Sequence, residues 1–496
     1  MGQEISTDRF TEADFTRFHD CLCQETNRLA EWFARSASSF PETPELVGGF
    51  ELEACLLDRN CQPATINQSY LSQLDSDLVV EELASFNIEI NTVPRTLESN
   101  CLSLMQADLD KTWQECVQAA QGLDARFLSI GILPTLQPEH LSLTNMSDRA
   151  RYRALNQRLI HQRRARHIHI QIPDPHVNSS IAGPVGDFSF DSPNIMIEAA
   201  ATSFQIHLQV PPSAALRYFN ASTILAAPMV AVSANSPYLF GRNLWCETRI
   251  PLFEQIMTID NPVDRGGQFP DTQDPISRVS LGRGYLKDSM MECFLENLEN
   301  FSILLPEHLE TGGDRFNHLR LHNGTIWRWN RPLIGFNADG SPHLRIEHRV
   351  VPAVTSVVDA IATAAFYFGL VHSLATQSIP PETRLIFEQA QANFYAAARQ
   401  GLNAPCVWLD SSAMTMQQLS IEILMPLAYQ GLTALRLDPA DVECYLGVIQ
   451  ERISTGQTGA QWQQTFIRKH SADMRSLVSA YLDNQMTGHP VHQWLM

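Results

Sequence analysis

The run Gly48-Gly49-Phe50-Glu51-Leu52-Glu53-Ala54-Cys55-Leu56-Leu57 sets two carboxylates one residue apart in an otherwise apolar segment. The glycine pair before it and Asp58 after it predict a strand. Residues two apart in a strand share a face. Glu51 and Glu53 therefore project together, and Phe50, Leu52 and Ala54 face the other way. Neighbouring carboxylates raise each other's pKa unless a cation lies between them. A hard divalent ion with oxygen ligands is the natural occupant, and Mg²⁺ commonly arrives with phosphates. A solvated acidic strand face would account for this one segment equally well.

Three further segments weaken that alternative. Asn87-Ile88-Glu89-Ile90-Asn91 repeats the alternation, and Phe204-Gln205-Ile206-His207-Leu208-Gln209-Val210 carries Gln205, His207 and Gln209 on one side. Leu344-Arg345-Ile346-Glu347-His348-Arg349-Val350 does the same with Arg345, Glu347 and Arg349. In a shared sheet, one face would hold Glu51, Glu53, Glu89, His207, Glu347 and Arg349. Such a face cannot pack as an apolar core, because buried charges must be paired or bound to metal. Two loops add anion-binding character: Ala234-Asn235-Ser236-Pro237 leading to Arg249, and Asn323-Gly324-Thr325-Ile326-Trp327 leading to Arg331-Pro332. Arginine forks match phosphate and carboxylate oxygens two at a time. Carboxylates for metal beside arginines for oxyanions is the equipment of phosphoryl transfer from Mg-ATP.

At these residues the chain resembles the carboxylate-amine ligase branch of the type 2 glutamate-cysteine ligases, which share the glutamine synthetase-like fold. The pieces that carry the resemblance are Phe50-Glu51-Leu52-Glu53, Asn87 to Thr92, Gly131-Ile132-Leu133-Pro134-Thr135, Gln205-Ile206-His207, Ala234 to Pro237, Gly324 to Trp327 with Arg331-Pro332, and Ile346-Glu347-His348-Arg349. The resemblance implies an α+β architecture in which an open antiparallel sheet forms a funnel flanked by helices. It implies Glu51, Glu53, Glu89, His207 and Glu347 as metal ligands for Mg²⁺, with Mn²⁺ as the alternative. Arg349, Arg249 and Glu51 would contact ATP, and Arg249, Arg331 and Arg349 would act in catalysis. The implied reaction forms a γ-glutamyl or related amide through an acyl phosphate, releasing ADP and phosphate, as in glutathione biosynthesis. A phosphotransferase of the same fold, or a nucleotide-binding protein without turnover, is the competing expectation. The expected partners are small molecules, a glutamate-like acid and an amine acceptor.

The expected organisation is a helical N-terminal segment over 1–45, a catalytic core over 46–375 and a helical C-terminal region over 376–496 packed on that core. Strands are expected at 86–91, 126–134, 167–172 and 203–210, and helices at 8–36, 95–123 and 222–234. Hydrophobic residues make up 44% of the 496-residue chain and charged residues 18%, an ordinary globular balance. The formal net charge of −19 argues against nucleic-acid or anionic-membrane binding, and it outweighs the arginine-rich span 149–166. The ten cysteines include no CxxC pair and are read as reduced thiols. The N-terminus lacks a basic segment followed by an apolar run, so a cytoplasmic protein is expected, with room for a homodimer. The apolar stretch Val350 to Leu374 is long enough to span a bilayer. Its internal Asp359 favours a buried core helix, and no other stretch of this kind is recognised. His167 and His169, with no matched carboxylate nearby, are expected to be structural or exposed.

Overall fold

A computed structural model describes residues 4–36, 45–174, 187–258, 277–309, 315–471 and 473–495. Alternation along the expected strand becomes a two-sided sheet. Strand β1 (Val47–Leu57) buries Phe50, Leu52 and Ala54 on one face and turns Glu51 and Glu53 to the other. It is followed by β2 (Val79–Glu81), β3 (Asn87–Asn91), β4 (Arg95–Thr96) and β5 (Arg126–Leu128). A separate two-stranded ribbon, β6 (Ile168–Ile172) with β7 (Phe188–Ser192), precedes β8 (Phe204–Val210). A short pair, β9 (Tyr238–Leu239) and β10 (Arg242–Asn243), then leads to β11 (Asn330–Phe336) and β12 (Pro342–His348). The main sheet is antiparallel in the order β11-β12-β8-β1-β3-β2, with β4 and β5 also paired to β1. It is an open antiparallel sheet flanked by helices and followed by a mostly helical C-terminal region, the architecture that the resemblance implies.

The apolar face of the sheet rests on helices. Phe50 lies against Phe204 and Phe368, with ring centroids 5.2 and 6.2 Å apart. Phe368 belongs to the helix Val357–Ala375, every residue of which but Val358 is buried. Asp359, the polar residue inside that apolar run, is neutralised by Arg452 at 2.6 Å and accepts hydrogen bonds from Thr355, Ser356 and the Val491 backbone. A second helix of comparable length and apolarity, Ala215–Ser233, packs against it, so two helices rather than one could cross a bilayer by length and composition. Both are enclosed within the protein. The expected start at Ser222 was late because Arg217, Asn220 and Ser222 dilute the apolar signal of the first two turns.

Other boundaries also moved. The expected helix over 95–123 begins at Cys101, because Arg95 and Thr96 pair with β1 and Ser99 takes a left-handed φ of 52° that interrupts helical winding. The expected strand over 126–134 keeps only Arg126–Leu128. The first helix runs Glu12–Ser36, and residues 41–44 of the loop that follows lie outside the described residues. That helix is docked by Glu25, which accepts from the Leu319 backbone at 2.9 Å and sits 2.8 Å from His318 Nδ1.

The C-terminal helices grip the core through buried amides. Gln485 donates to the carbonyls of Ser129 and Thr355 at 2.8 and 3.0 Å and accepts from the Ser129 backbone. Gln463 donates to the Asn235 side chain at 2.9 Å. The helix Met425–Ala434 crosses Val357–Ala375 in backbone contact: a Cβ on Gly431 would lie 1.9 Å from the Gly369 carbonyl oxygen. Gly431→Ala should therefore force the two helices apart and destabilise the protein by about 1–3 kcal/mol. Gly447→Ala, at a helical glycine with no atom near the added Cβ, should be neutral or stabilising. Urea denaturation of both variants checks the contrast.

Candidate active site

The sheet register assembles the charged face. Across β11, β12 and β8, Arg331 stands opposite Glu347, and Glu347 opposite His207. Across β1 and β3, Glu53 stands opposite Glu89, while Glu51 faces Gln205 on β8 and Asn91 on β3. Directly opposed residues in an antiparallel sheet share a face, so the pairing brings all of these side chains to one side.

Glu347 is the most enclosed of them, with its side chain 1% exposed. Arg331 grips it with two nitrogens at 2.6 and 2.8 Å, and Arg349 adds a third contact at 3.2 Å. Burial opposes its ionisation, but Arg331, Arg349 and then His207 outweigh burial and hold its carboxyl down at about 2. Arg349 also donates to Gln205. Glu53 has no such arginine clamp. It accepts from the Ser203 backbone at 2.7 Å, the Ser203 hydroxyl at 3.0 Å and Gln205 at 3.2 Å. Burial, and then the charge of Glu89, push it up to about 7. Burial and Glu51 likewise push Glu89 up to about 8.

Ligand-bearing atoms converge in two groups: Glu51 with His207 and Glu347, and Glu53 with Glu82 and Glu89, each set lying within 4.8 Å. The donor chemistry fits a hard divalent cation, with carboxylate oxygens dominant and one imidazole. The state of the ligands fits as well. His207 is buried, its Nε2 lies 3.2 Å from Glu51, and neither ring nitrogen makes a well-formed hydrogen bond. In the second group three carboxylates crowd together with their charge incompletely offset.

Two cavities open from this face and share Glu51, Arg320 and Arg345. The first, of about 220 Å³, runs from the acidic groups and Arg331 and Arg349 to an apolar wall. The second lies over the Gly48-Gly49 end of β1 and is lined by Phe336, His343, Arg320 and Arg345. Arg315 and Arg320 sit over the Phe336 ring at 5.8 and 5.7 Å. Burial and then Arg345 and Arg320 push His343 down to about 4. Among the described residues no carboxylate pairs with Arg315, Arg320 or Arg345, and the buried Nε of Arg345 has no partner. Uncompensated cations beside a metal-type cluster form a site for a polyanion.

Seven of the eight expected site residues meet at this face: Glu51, Glu53, Glu89, His207, Arg331, Glu347 and Arg349. Arg249 does not line either cavity. Its guanidinium is buried behind the sheet edge, 3.2 Å from Glu247, donating to the carbonyls of Val350 at 2.6 Å and Arg349 at 3.2 Å. It holds the main chain that carries Arg349. The Asn235-Ser236 loop, expected to bind anions, is likewise internal: the Asn235 backbone donates to Glu247, and Ser236 accepts from the Arg249 backbone. Trp327 lines the first cavity, whereas Trp329 is fully buried and donates to Glu254 at 2.8 Å. His169 is exposed, as expected, but does face a carboxylate, Asp191 on β7 at 2.8 Å.

Glu82, Glu198, Arg320 and Arg345 line the first cavity but were not among the expected site residues. Arg345 was visible two residues before Glu347 on the same alternating strand. Glu198 was visible as a lone carboxylate in the apolar run Ile195-Met196-Ile197-Glu198-Ala199-Ala200. Glu82 and Arg320 sit outside alternating strands and carry no local signal.

Carboxyls whose pKa is raised must lose protons before they bind a cation. Cation binding at the Glu53 and Glu89 group should thus be suppressed below pH 7 and strengthen as pH rises through about 7 to 8. Calorimetric Mn²⁺ titration between pH 6 and 8.5 should show tighter binding and proton release toward the alkaline end. Glu89→Gln should weaken that binding at pH 8 by about tenfold or more.

No curated protein sequence matches the chain. Among solved structures it is similar to a glutamate–cysteine ligase from Francisella tularensis in complex with AMP, with a TM-score of 0.51 and 11% identity, over 92% of this chain and 90% of that one. A bifunctional glutathione synthetase from Pasteurella multocida aligns with a TM-score of 0.47 and 11% identity, over 89% of this chain and 53% of that one. The ligase of the prokaryotic ubiquitin-like protein, solved with that protein, aligns with a TM-score of 0.36 and 11% identity, over 89% of this chain and 72% of that one. The first likeness supports a shared fold. The model of glutamate-cysteine ligase family 2 matches residues 47–480, which span all of the charged sheet face, and the chain belongs to that family.

Proposed function

We propose that the protein is an ATP- and Mg²⁺-dependent ligase that joins a glutamate-like carboxylate to an amine. The observation that carries this reading is the clamp of Glu347 by Arg331 and Arg349 between two acidic groups, beside a cationic mouth. Family membership and a fold shared with an AMP-bound ligase support it.

In this reading the polyphosphate enters over the Gly48-Gly49 end of β1, where Arg320 and Arg345 meet it with unpaired positive charge. The acid substrate lies in the first cavity, its carboxylate near Arg331 and Arg349. An oxygen of that carboxylate attacks the γ-phosphorus, the bond to the bridging oxygen of ADP breaks, and an acyl phosphate forms. Mg²⁺, or Mn²⁺, held by Glu51, His207 and Glu347 and by Glu53, Glu82 and Glu89 would offset charge on the phosphate oxygens. Arg349 is fixed from behind by Arg249 and from the side by Gln205 and Glu347, so its charge needs little rearrangement as the phosphoryl group moves. The amine nitrogen then attacks the acyl carbon, forming C–N as C–O breaks, and its proton leaves with phosphate.

Purified protein with L-glutamate, an amine and Mg-ATP should release ADP and form an amide detectable by mass spectrometry. Glu53→Ala and Glu347→Ala should each lower kcat by about 10²-fold or more, and amine-dependent ADP release that survives both would refute the site. The nucleotide mouth is tested separately. Arg345→Ala should raise the KM for ATP by about tenfold or more while leaving the KM for the amine unchanged.

A further inference from the structure

The first cavity has a wall that neither phosphate, metal nor carboxylate can use. Leu155, Leu159, Ile195, Met257, Phe294 and Trp327, brought together from four separate stretches of chain and the loop before β11, line this cavity together with the charged sheet face. Apolar lining of this kind offers no hydrogen bond, so it contributes binding free energy only by covering the apolar part of a ligand. The cationic mouth, whose Arg320 and Arg345 line both cavities, opens over the Gly48-Gly49 end of β1, and the polyanion belongs there by charge.

Within the wall sits one carboxylate, Glu198. It is on a 3₁₀ turn (Ile195–Ala200) three residues after Ile195, and positions three apart on such a turn eclipse one another. Ile195 and Glu198 therefore project together into the cavity. Glu198 belongs to neither metal-type group and makes no hydrogen bond or ion pair with any described residue. The charge of Arg349 reaches it, but no cation among the described residues stands in ion-pair contact with it, which leaves room for a cation supplied by a ligand.

Building on the ligase reading, we infer that the amine acceptor is a primary amine with a bulky apolar body. Its ammonium sits on Glu198, and its body covers the wall formed by Leu155, Leu159, Ile195, Met257, Phe294 and Trp327. A side chain as small as that of cysteine would leave most of this lining uncovered. Glu198 lies within the cavity that also contains Arg331 and Arg349; it takes one proton from the bound ammonium, which frees the nitrogen lone pair for attack on the acyl carbon, and the second proton leaves with phosphate.

The test uses calorimetry and turnover with the same probes. In the presence of Mg²⁺ and a non-hydrolysable ATP analogue, phenethylamine and L-phenylalanine should bind the wild-type protein at least tenfold more tightly than ethylamine and L-cysteine. In the ADP-release assay kcat/KM should follow the same order. Glu198→Gln should raise the KM for phenethylamine at least tenfold and leave the KM for ATP unchanged. Leu155→Trp, which fills the wall, should reverse the preference toward ethylamine. Equal or tighter binding of L-cysteine and ethylamine, binding of none of the four probes, or an unaltered amine KM in Glu198→Gln would overturn the inference. Amide formation with small amines only would defeat the inference and leave the ligase reading standing. Tight binding of phenethylamine without any amide product would defeat the ligase reading and with it the acceptor role, leaving only a binding site for a bulky amine.

Discussion

A fully enclosed carboxylate, Glu347, is held ionised by Arg331 and Arg349, and the rest of the site is arranged around that fact. Removing a charge from water costs several kcal/mol unless partners replace the lost solvation. Here a bidentate guanidinium supplies two hydrogen bonds and a second guanidinium a third. The same pairing fixes the ends of β11 and β12 relative to each other, because the two side chains sit directly opposite in the register. Arg249 secures the clamp from behind by accepting no role in the cavity and binding the carbonyls of Arg349 and Val350 instead. Breaking the clamp would leave charges buried without partners, a far larger penalty than losing a surface ion pair.

The two acidic groups differ for the same reason. Glu347 has guanidinium partners and stays ionised, whereas Glu53 and Glu89 face each other across β1 and β3 and are pushed toward the neutral form. One sheet face thus contains a preset anion next to carboxyls that ionise fully only when a cation arrives. The structure tolerates this polar face because the opposite face supplies the core. Phe50, Leu52 and Ala54 of β1 are buried there, with Phe50 against Phe368 of the Val357–Ala375 helix, which is itself locked by the Gly369–Gly431 crossing and the Asp359–Arg452 pair.

What was legible in the chain was whatever has period two. Glu51, Glu53, Glu89, His207, Glu347 and Arg349 all lie on short alternating strands, where spacing alone tells which residues share a face. Arg331 also reached the site, at the start of β11. Arg249 begins a helix after a loop, and no periodicity says whether such a residue points to solvent, to a cavity or inward. It points inward. Glu82 and Arg320 escaped notice for the converse reason, since they reach the site from a turn and a short helix. The helix of Ala215–Ser233 was recognised only in part, because polar residues in its first turns are satisfied by tertiary partners such as the Leu286 carbonyl, which accepts from Asn220.

The sequence by itself determined that four strands each present polar groups to one side, that this face could not be an apolar core, and that its chemistry suits metal and oxyanions. Strand alternation is a local property, set by the pleat of the backbone, and so it survives in the bare string of residues. Only the tertiary structure decided which strands are neighbours, which carboxylates meet an arginine and which meet one another, and where the apolar wall around Glu198 lies. Those outcomes depend on contacts between residues more than a hundred positions apart, such as Glu53 with Ser203 and Gln205 or Arg349 with Gln205. The ionisation of each group follows from those contacts and from burial, so Glu51 and Glu53, one residue apart on one strand, are shifted in opposite directions.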